Sequence, residues 1–472
     1  MSREMSRRSF LGKIAVSAAA LSLPVQIKAA ESRGERPNII FVMVDDMGYG
    51  DLGCYGQKKI QTPNIDKIAG EGIRFTDCYS GSTICAPSRS VLMTGQHTGH
   101  TRIRGNMCTV GGTIGYKGNR KVRRMCLTDE DVTVGHVLQK AGYRTCLVGK
   151  WHVGAYNPDA GPLDRGFDEF YGWTINAGGT GGYYPSQRHR NRQLYDVTGN
   201  QNGQQNQYST DICTNEAIDF LKNNKERLFF LYLSYNNPHS PLQVPDLGPY
   251  KDKDWPEHIK VYAGMVHRLD QNIGKLMQTL KEFQIDEKTI VFFCSDNGPR
   301  SEPTQQQTEV ADFFDSNGPL RGYKRDLYEG GIRVPMIVRW PGKISAGTTS
   351  DLPWYFADVL PTAANLAGAE PPKNIDGMSI VPALLGKQRD LARRFLYWEY
   401  FESGFQQAVR WEQWKAIRLK RGEPLVLFNL SEDLAEEHDV ASEHPEVIEK
   451  IEEYLETART ESENWPLRSI LL

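Results

Sequence analysis

"RPNIIFVMVDD", Arg36–Asp46, is an unbroken apolar run that stops on two carboxylates. A strand-length run rich in Ile and Val, with no polar alternation, reads as a strand buried on both faces of a parallel sheet. "YRTCLVGKW" (Tyr143–Trp151), "RLFFLYLSY" (Arg227–Tyr235), "KTIVFFCSDNG" (Lys288–Gly298) and "RVPMIVRWPG" (Arg333–Gly342) have the same form. Helical patterns lie between them. "TPNIDKIAGEGI" (Thr62–Ile73) carries a proline in its first turn, and Glu257–Phe283 keeps apolar residues at helical spacing for several turns. Strands alternating with helices predict an α/β fold whose mostly parallel sheet lies between helices. Functional groups in such sheets gather at the carboxyl ends of the strands. Asp45 and Asp46, Lys150 and His152, Pro238 and His239, and Asp296 and Asn297 all sit at such ends.

The bulk composition excludes several classes. A chain of 472 residues has room for roughly two to three domain-sized units, or one large domain with an appendage. Its 56 basic and 58 acidic residues leave a net charge of −2, without the strongly basic balance of a nucleic-acid binder. The eight cysteines include no C-x-x-C pair, which argues against a zinc ribbon or a thioredoxin-like site.

"SRRSFLGK" (Ser6–Lys13), the apolar run Ile14–Val25 and the small residues Ala29 and Ala30 make residues 1–30 a signal peptide. The pair Arg7–Arg8 resembles a twin-arginine export signal, so export to the periplasm or medium of a bacterium is expected. The run is short of the roughly 20 apolar residues that span a bilayer, so no stable membrane insertion is expected after cleavage. Residues 36–382 read as the catalytic α/β domain. Beyond Pro382 the pattern turns to antiparallel strands and a closing amphipathic helix at His444–Glu461, giving a smaller α+β subdomain over 383–472. Thr174–Tyr208 reads as a flap or hairpin near the site, with "QNGQQNQ" (Gln201–Gln207) as a mobile tip.

Asp45, Asp46, Asp296 and Asn297 form an all-oxygen set, suited to Ca²⁺ or Mg²⁺. Zinc would recruit His or Cys. Taken one pair at a time, "DD" and "DN" also serve as turn residues or helix caps. Lys150, His152, His239 and Lys324 are candidate acid–base and charge-stabilising groups, and each alone is equally a structural residue.

"CAPSR", Cys85–Arg89, resembles the signature of the type I sulfatases, in which the Cys of C-x-P-S-R is converted to formylglycine. "VDDMGYGDLGCYG", "SRSVLMTGQHTG", "GKWHVG", "GFDEFYG", "SDNGP" and "LRGYKRDLYEGGIRVP" are similar to segments of the same family in family order. The likeness extends to bacterial arylsulfatases and N-acetylgalactosamine-6-sulfatases, and it implies an alkaline-phosphatase-like fold. It implies that a maturation enzyme oxidises Cys85 and that the hydrated aldehyde is a metal-activated nucleophile toward sulfur. Asp45, Asp46, Asp296 and Asn297, with Cys85 itself, would surround the cation. Arg89, Lys150 and Lys324 would add positive charge, His239 helped by Lys324 would protonate the leaving alcohol, and His152 would act as the base.

The substrate expected from export and from the second unit is a sulfated sugar of a polysaccharide or glycosaminoglycan. His100, Arg102 and Arg104, close to Cys85 in sequence, and Trp173 are candidate substrate-binding residues, and the pair Tyr183–Tyr184 is a candidate stacking surface. Arg300 stands where the family often has His, which weakens transfer of any particular sugar. Two rival readings are a phosphomonoesterase or phosphonate hydrolase on the same fold and an inactive glycan-binding protein.

Overall fold

The structure, a computed structural model, describes residues 36–117, 119–155, 157–174, 182–387 and 393–467. The segment read as a signal peptide lies outside the described residues. Asn38–Asp45 is a strand near the middle of a ten-stranded sheet, and all eight of its residues are buried. It pairs in parallel with Phe229–Pro238 on one side and Thr289–Ser295 on the other. Phe229–Pro238 pairs in parallel with Arg144–Lys150. The run lacks polar alternation because both faces are covered. Ile39, Phe41 and Met43 enter one apolar cluster, and Ile40, Val42 and Val44 enter another on the opposite face.

The 26-residue helix Glu257–Glu282 covers the second face through Val266, Leu269, Ile273, Leu276 and Leu280. Val91 and Leu92 of helix Cys85–Thr94 and Leu360 and Ala364 of helix Val359–Ala367 lie in the first cluster. The sheet between two helical layers is the mostly parallel α/β architecture expected from the sequence.

Met336–Arg339 departs from the reading of its sequence. It is buried on both faces but runs antiparallel to Thr289–Ser295. An apolar run records burial and carries no direction. The chain leaves Ser295 at the site end of the sheet and re-enters beside Cys294 at Met336, at that same end.

Within Thr174–Tyr208, residues 175–181 lie outside the described residues. Gln187–Arg190 and Gln193–Asp196 form a hairpin that extends the sheet beyond Glu169–Trp173. The start of the expected tip, Gln201–Gln207, lies in a turn over Thr198–Gly203. The buried Asn200 amide donates to the Pro185 and Gln207 carbonyls, and its oxygen accepts from Gln207 N–H. A side-chain amide here supplies the partners that a ladder would otherwise give.

Phe395–Tyr400, Gln406–Trp411, Trp414–Arg418 and Val426–Asn429 make a four-stranded antiparallel sheet. Its alternation feeds two clusters. Leu396, Trp398, Ala408 and Ile417 join the apolar cluster of the main sheet. Tyr397, Val409, Ala416 and Leu427 pack on Val447, Ile451 and Leu455 of helix Pro445–Thr457. From Arg36 on, the chain is one compact unit.

A buried polar junction joins this sheet to the loop that follows Lys324. Lys415 Nζ lies 2.8 Å from Glu329 Oε1 and 3.4 Å from Glu436 Oε1, with all three side chains at 0% exposure. Burial opposes the Glu329 charge, but Lys415, Arg333 and Arg410 overcome it and hold the carboxyl down at about 2. All eight cysteines are free thiols. Among the described residues no helix is long and apolar enough to cross a membrane.

Candidate active site

Four neighbouring parallel strands end on one level. Val44 is level with Ser295 and Asp45 with Pro238, so the residues at these ends share one crevice. Asp45 closes Asn38–Asp45, Lys150 closes Arg144–Lys150, His239 follows Phe229–Pro238, and Asp296 follows Thr289–Ser295. Gly149 allows the Lys150 strand to approach closely. Its φ is +104°, and a Cβ there would lie 1.9 Å from the Ser234 carbonyl oxygen.

Cys85 opens helix Cys85–Thr94, every residue of which is buried. The sulfur therefore sits at the positive end of the helix. Ser88 and Arg89, three and four residues on, share its face. The Ser88 hydroxyl donates to the Asp296 carbonyl at 2.5 Å. Arg89 Nε and Nη2 donate to Asp296 Oδ2 at 2.9 and 2.7 Å. Pre-set donors of this kind order the aspartate before anything binds.

Around the sulfur the charges alternate. Cys85 Sγ lies 3.5 Å from Asp45 Oδ1 and 4.0 Å from Asp46 Oδ1. Lys324 Nζ donates to Cys85 Sγ at 3.2 Å and also binds Asp46 Oδ1. Lys150 Nζ donates to Asp45 Oδ2 at 2.7 Å. Burial opposes the Asp45 charge, and Lys150, His239, Arg89 and Lys324 outweigh it, holding the carboxyl well below the usual range. Burial, with Asp45 beside it, pushes Asp296 up to about 6 against the pull of Arg89. Burial pushes the Cys85 thiol up to about 12, so the sulfur is protonated at neutral pH.

Asp45, Asp46, Cys85 and Asp296 each offer a ligand atom, all within 4.8 Å of one another. Asp46 Oδ2 and Asn297 Oδ1 are buried without a hydrogen-bond partner. Unsatisfied buried oxygens beside converging carboxylates fit a hard divalent cation, which needs oxygen donors and supplies the missing partner. Asp46 holds a left-handed backbone at φ +65°, an uncommon state for a non-glycine residue, and its N–H donates to Asp296 Oδ1 at 3.2 Å.

His239 Nε2 faces Asp46 Oδ2 at 3.6 Å, and its Nδ1 lies 2.5 Å from the Ser240 carbonyl. Burial lowers its pKa, while Asp45 and Asp46 oppose that. Tyr183 is fully buried and unavailable for stacking on a sugar. Its hydroxyl sits 2.6 Å from the carbonyls of both Asn236 and His239 and holds the histidine loop in place. Arg300 Nη1 donates to Ser240 Oγ at 2.7 Å, and Arg300 lines a small cavity with Asp46, His239 and Gln307.

His152 shows a feature invisible in the sequence. Arg124 Nη1 lies 3.0 Å from His152 Nε2. A guanidinium only donates, so Nε2 accepts and the ring proton sits on Nδ1. Burial, with Lys150 and Arg124 nearby, holds His152 well below its ordinary pKa. The ring is therefore a neutral donor through Nδ1, which does not fit the base expected from the sequence.

The candidate substrate residues each have a partner within the protein. Arg104 is 2% exposed and pairs with Glu399 at 2.8 Å. Arg102 is held by Asp131 and Glu130. Trp173 is buried with the Arg188 guanidinium over its ring. His100 Nδ1 lies 2.9 Å from Asp376 Oδ1, and its ring stacks on His97. The residues that sequence reading missed are Arg124, Tyr183 as a support, Ser234, whose hydroxyl accepts from Arg89 Nη1, and Ser240. Of these, only Arg124 had a signal in the sequence, the basic run Lys117–Arg124.

His97 yields a stability prediction. It is 4% exposed, its Nδ1 accepts from Gly99 N–H at 3.1 Å, and its Nε2 faces Asp376 at 3.6 Å. Burial brings its pKa down to about 4 from 6.5, despite Asp376. The unfolded chain then binds the extra proton between those values, so folding stability falls as pH drops through that window. The expected loss is about 3 kcal/mol. Denaturation of His97→Gln followed against pH should show a flatter acid limb than wild type, and parallel limbs would refute the assignment.

These observations define the class first. Charged and oxygen donors at the carboxyl ends of a mostly parallel sheet, around a residue at a helix start, belong to hydrolases of alkaline-phosphatase-like fold. Residues 37–369 match the family model described as Sulfatase, and residues 322–461 match N-sulphoglucosamine sulphohydrolase, C-terminal. The chain belongs to the sulfatase family and is a sulfuric ester hydrolase. It is 34% identical over 408 residues to N-acetylgalactosamine-6-sulfatase of Canis lupus familiaris, covering 80% of this chain and 71% of the relative. It is 29% identical over 499 residues to N-acetylgalactosamine-6-O-sulfatase of Bacteroides thetaiotaomicron, covering 90% and 94%. A solved structure described as Ps i-CgsB in complex with k-i-k-neocarrahexaose superposes with a TM-score of 0.78 at 30% identity, covering 92% of this chain and 94% of that one.

Proposed function

We propose that this sulfatase is exported and releases inorganic sulfate from a sulfated carbohydrate, using a formylglycine made from Cys85 by a maturation enzyme and a divalent cation, Ca²⁺ or Mg²⁺. The observation that carries this reading is the place of Cys85. It opens a buried helix inside C-A-P-S-R and touches Lys324, Asp45 and Asp46 at once. One relative is named N-acetylgalactosamine-6-O-sulfatase and the similar solved structure holds a neocarrahexaose, which supports carbohydrate as the substrate class.

Formylglycine supplies an aldehyde whose hydrate is a hydroxyl nucleophile, and the cation supplies Lewis-acid polarisation of sulfate oxygens. Asp45, Asp46, Asp296 and Asn297 would hold that cation. Without it, Asp45, Asp46 and Asp296 are balanced by Arg89, Lys150 and Lys324. A bound divalent cation leaves the pocket net positive, which draws in an anionic sulfate and favours charge building on its oxygens. Lys150 and Lys324 steady the nucleophile position. His239, beside Asp46 at the half-buried mouth, protonates the leaving sugar oxygen. His152, fixed by Arg124, donates through Nδ1.

Incubating matured protein with 4-nitrophenyl sulfate and 4-nitrophenyl phosphate, with mass spectrometry across Cys85, tests the reading. Sulfate release alone with formylglycine present supports it. Phosphate release instead would place the chain with the phosphoryl hydrolases, and release of neither would favour a binding protein.

Stripping divalent ions with a chelator is expected to lower aryl sulfate turnover by about 100-fold or more, with recovery on adding Ca²⁺ or Mg²⁺. Full activity after verified metal removal would exclude the cation. His239→Ala is expected to cost about 100-fold on a sugar sulfate and far less on 4-nitrophenyl sulfate, whose leaving group needs no proton. Equal losses on both would remove His239 from proton transfer.

A further inference from the structure

We propose that the hairpin of Thr113–Lys117 and Arg120–Arg124, with the cavity beside it, is a second anion-recognising saccharide subsite. It suits the enzyme to glycans that carry several acidic groups rather than one sulfate. The inference rests on the carbohydrate sulfatase reading above.

The sequence contains no Asp or Glu between Cys78 and Thr128, yet the hairpin carries Lys117, Arg120, Lys121, Arg123 and Arg124. The ladder pairs Lys117 with Arg120, Gly115 with Val122, and Thr113 with Arg124, so these residues share one face. Arg124 on that face is the residue that bonds His152. Lys117 is crowded: burial lowers its pKa, and Arg124, Arg325 and Arg300 lower it further, while Glu402 opposes them. Arg300 lines the cavity that also holds Asp46 and His239. The cationic face therefore adjoins the mouth of the reaction centre. Like charges gathered this closely repel one another, and an arriving anion relieves that repulsion.

A cavity of about 690 Å³ lies beside the hairpin. Arg120, Lys121 and Arg123 line it together with Phe401, Glu402 and Trp465. The volume lies within the range of small-molecule sites, and several cations together with aromatic side chains suit an acidic pyranose. Hydrogen bonds tie this cavity to the nucleophile position. Glu402 Oε1 accepts from Asn106 N–H and Met107 N–H at 2.7 and 3.1 Å. Asn106 Oδ1 accepts from the N–H of Ala86, next to Cys85, at 2.9 Å. A glycan chain with one sulfate at Cys85 would lay its neighbouring acidic groups along Lys117 and Arg120 into this cavity.

Calorimetry on the full chain with a dextran sulfate octasaccharide, a neutral dextran octasaccharide and an oligothymidylate of matching charge tests this. Wild type should bind the sulfated sugar at least about tenfold tighter than either control, and less tightly as salt rises. Arg120→Gln/Lys121→Gln should weaken that binding about tenfold, whereas Lys222→Gln/Lys225→Gln, an equal charge change on a distant helix, should not. Unchanged affinity in the first variant, an equal loss in the second, or equal binding of oligothymidylate overturns the subsite. Release of 4-nitrophenol from its sulfate by the same wild-type sample is read separately. Its absence would sink the sulfatase chemistry, while the calorimetry still decides the subsite.

Discussion

Cys85→Ala is expected to lower sulfate ester turnover by about 10⁴-fold while leaving the protein folded. The side chain is small and opens a helix whose other residues keep their contacts, so the stability cost should be about 1 kcal/mol. The rate loss is large because nothing else at the site can replace the nucleophile. Asp45, Asp46 and Asp296 are engaged by Lys150, Lys324 and Arg89. The thiol itself is a poor candidate, since burial among carboxylates pushes it up to about 12. Unmatured wild type should therefore match the alanine variant in residual rate. Comparing matured protein, unmatured protein and Cys85→Ala on one aryl sulfate settles the point. Unmatured protein as fast as matured protein would make the thiol the nucleophile and discard the formylglycine proposal.

Lys415→Met should destabilise the fold by about 3–5 kcal/mol, because it strands buried carboxylates without their cation. Glu329 takes donors from Tyr79 and Arg333 as well as from Lys415, but Glu436 has Lys415 as its one ion-pair partner among the described residues. Burial already pushes Glu436 up to about 7 even with Lys415 present. The junction also anchors the loop bearing Lys324, so activity should fall with stability. Denaturant midpoints measure the loss. Lys415→Met/Glu329→Gln/Glu436→Gln should recover much of it, since neutral polar groups leave no charge unpaired. A Lys415→Met protein within about 1 kcal/mol of wild type would show that the carboxylates find other partners.

Asp45, Asp46, Lys150, Asp296 and Asn297 were readable because each follows an apolar run at the point where a doubly buried strand must end. Cys85 and Arg89 were readable from a local motif whose spacing matches one helical face. The partners that His100, Arg102, Arg104 and Trp173 find inside the protein were not legible in the sequence. Residue type allows binding, but the partners Asp376, Asp131 and Glu399 come from elsewhere in the chain and occupy these side chains first. The same limit hid Arg124, whose effect on His152 depends on a hairpin reaching a strand end.

Alone, the sequence determined the mostly parallel sheet, the inventory of reactive groups and the strand ends that display them. Burial on two faces, helical spacing and short motifs are written in neighbouring residues. Only the tertiary structure decided the direction of Met336–Arg339, the proton position on His152, the Lys415 junction and the basic face beside the site. Each of these depends on which distant segments close on one another. A local pattern records that a residue is buried or charged, and the chain's long-range closure decides what it meets there.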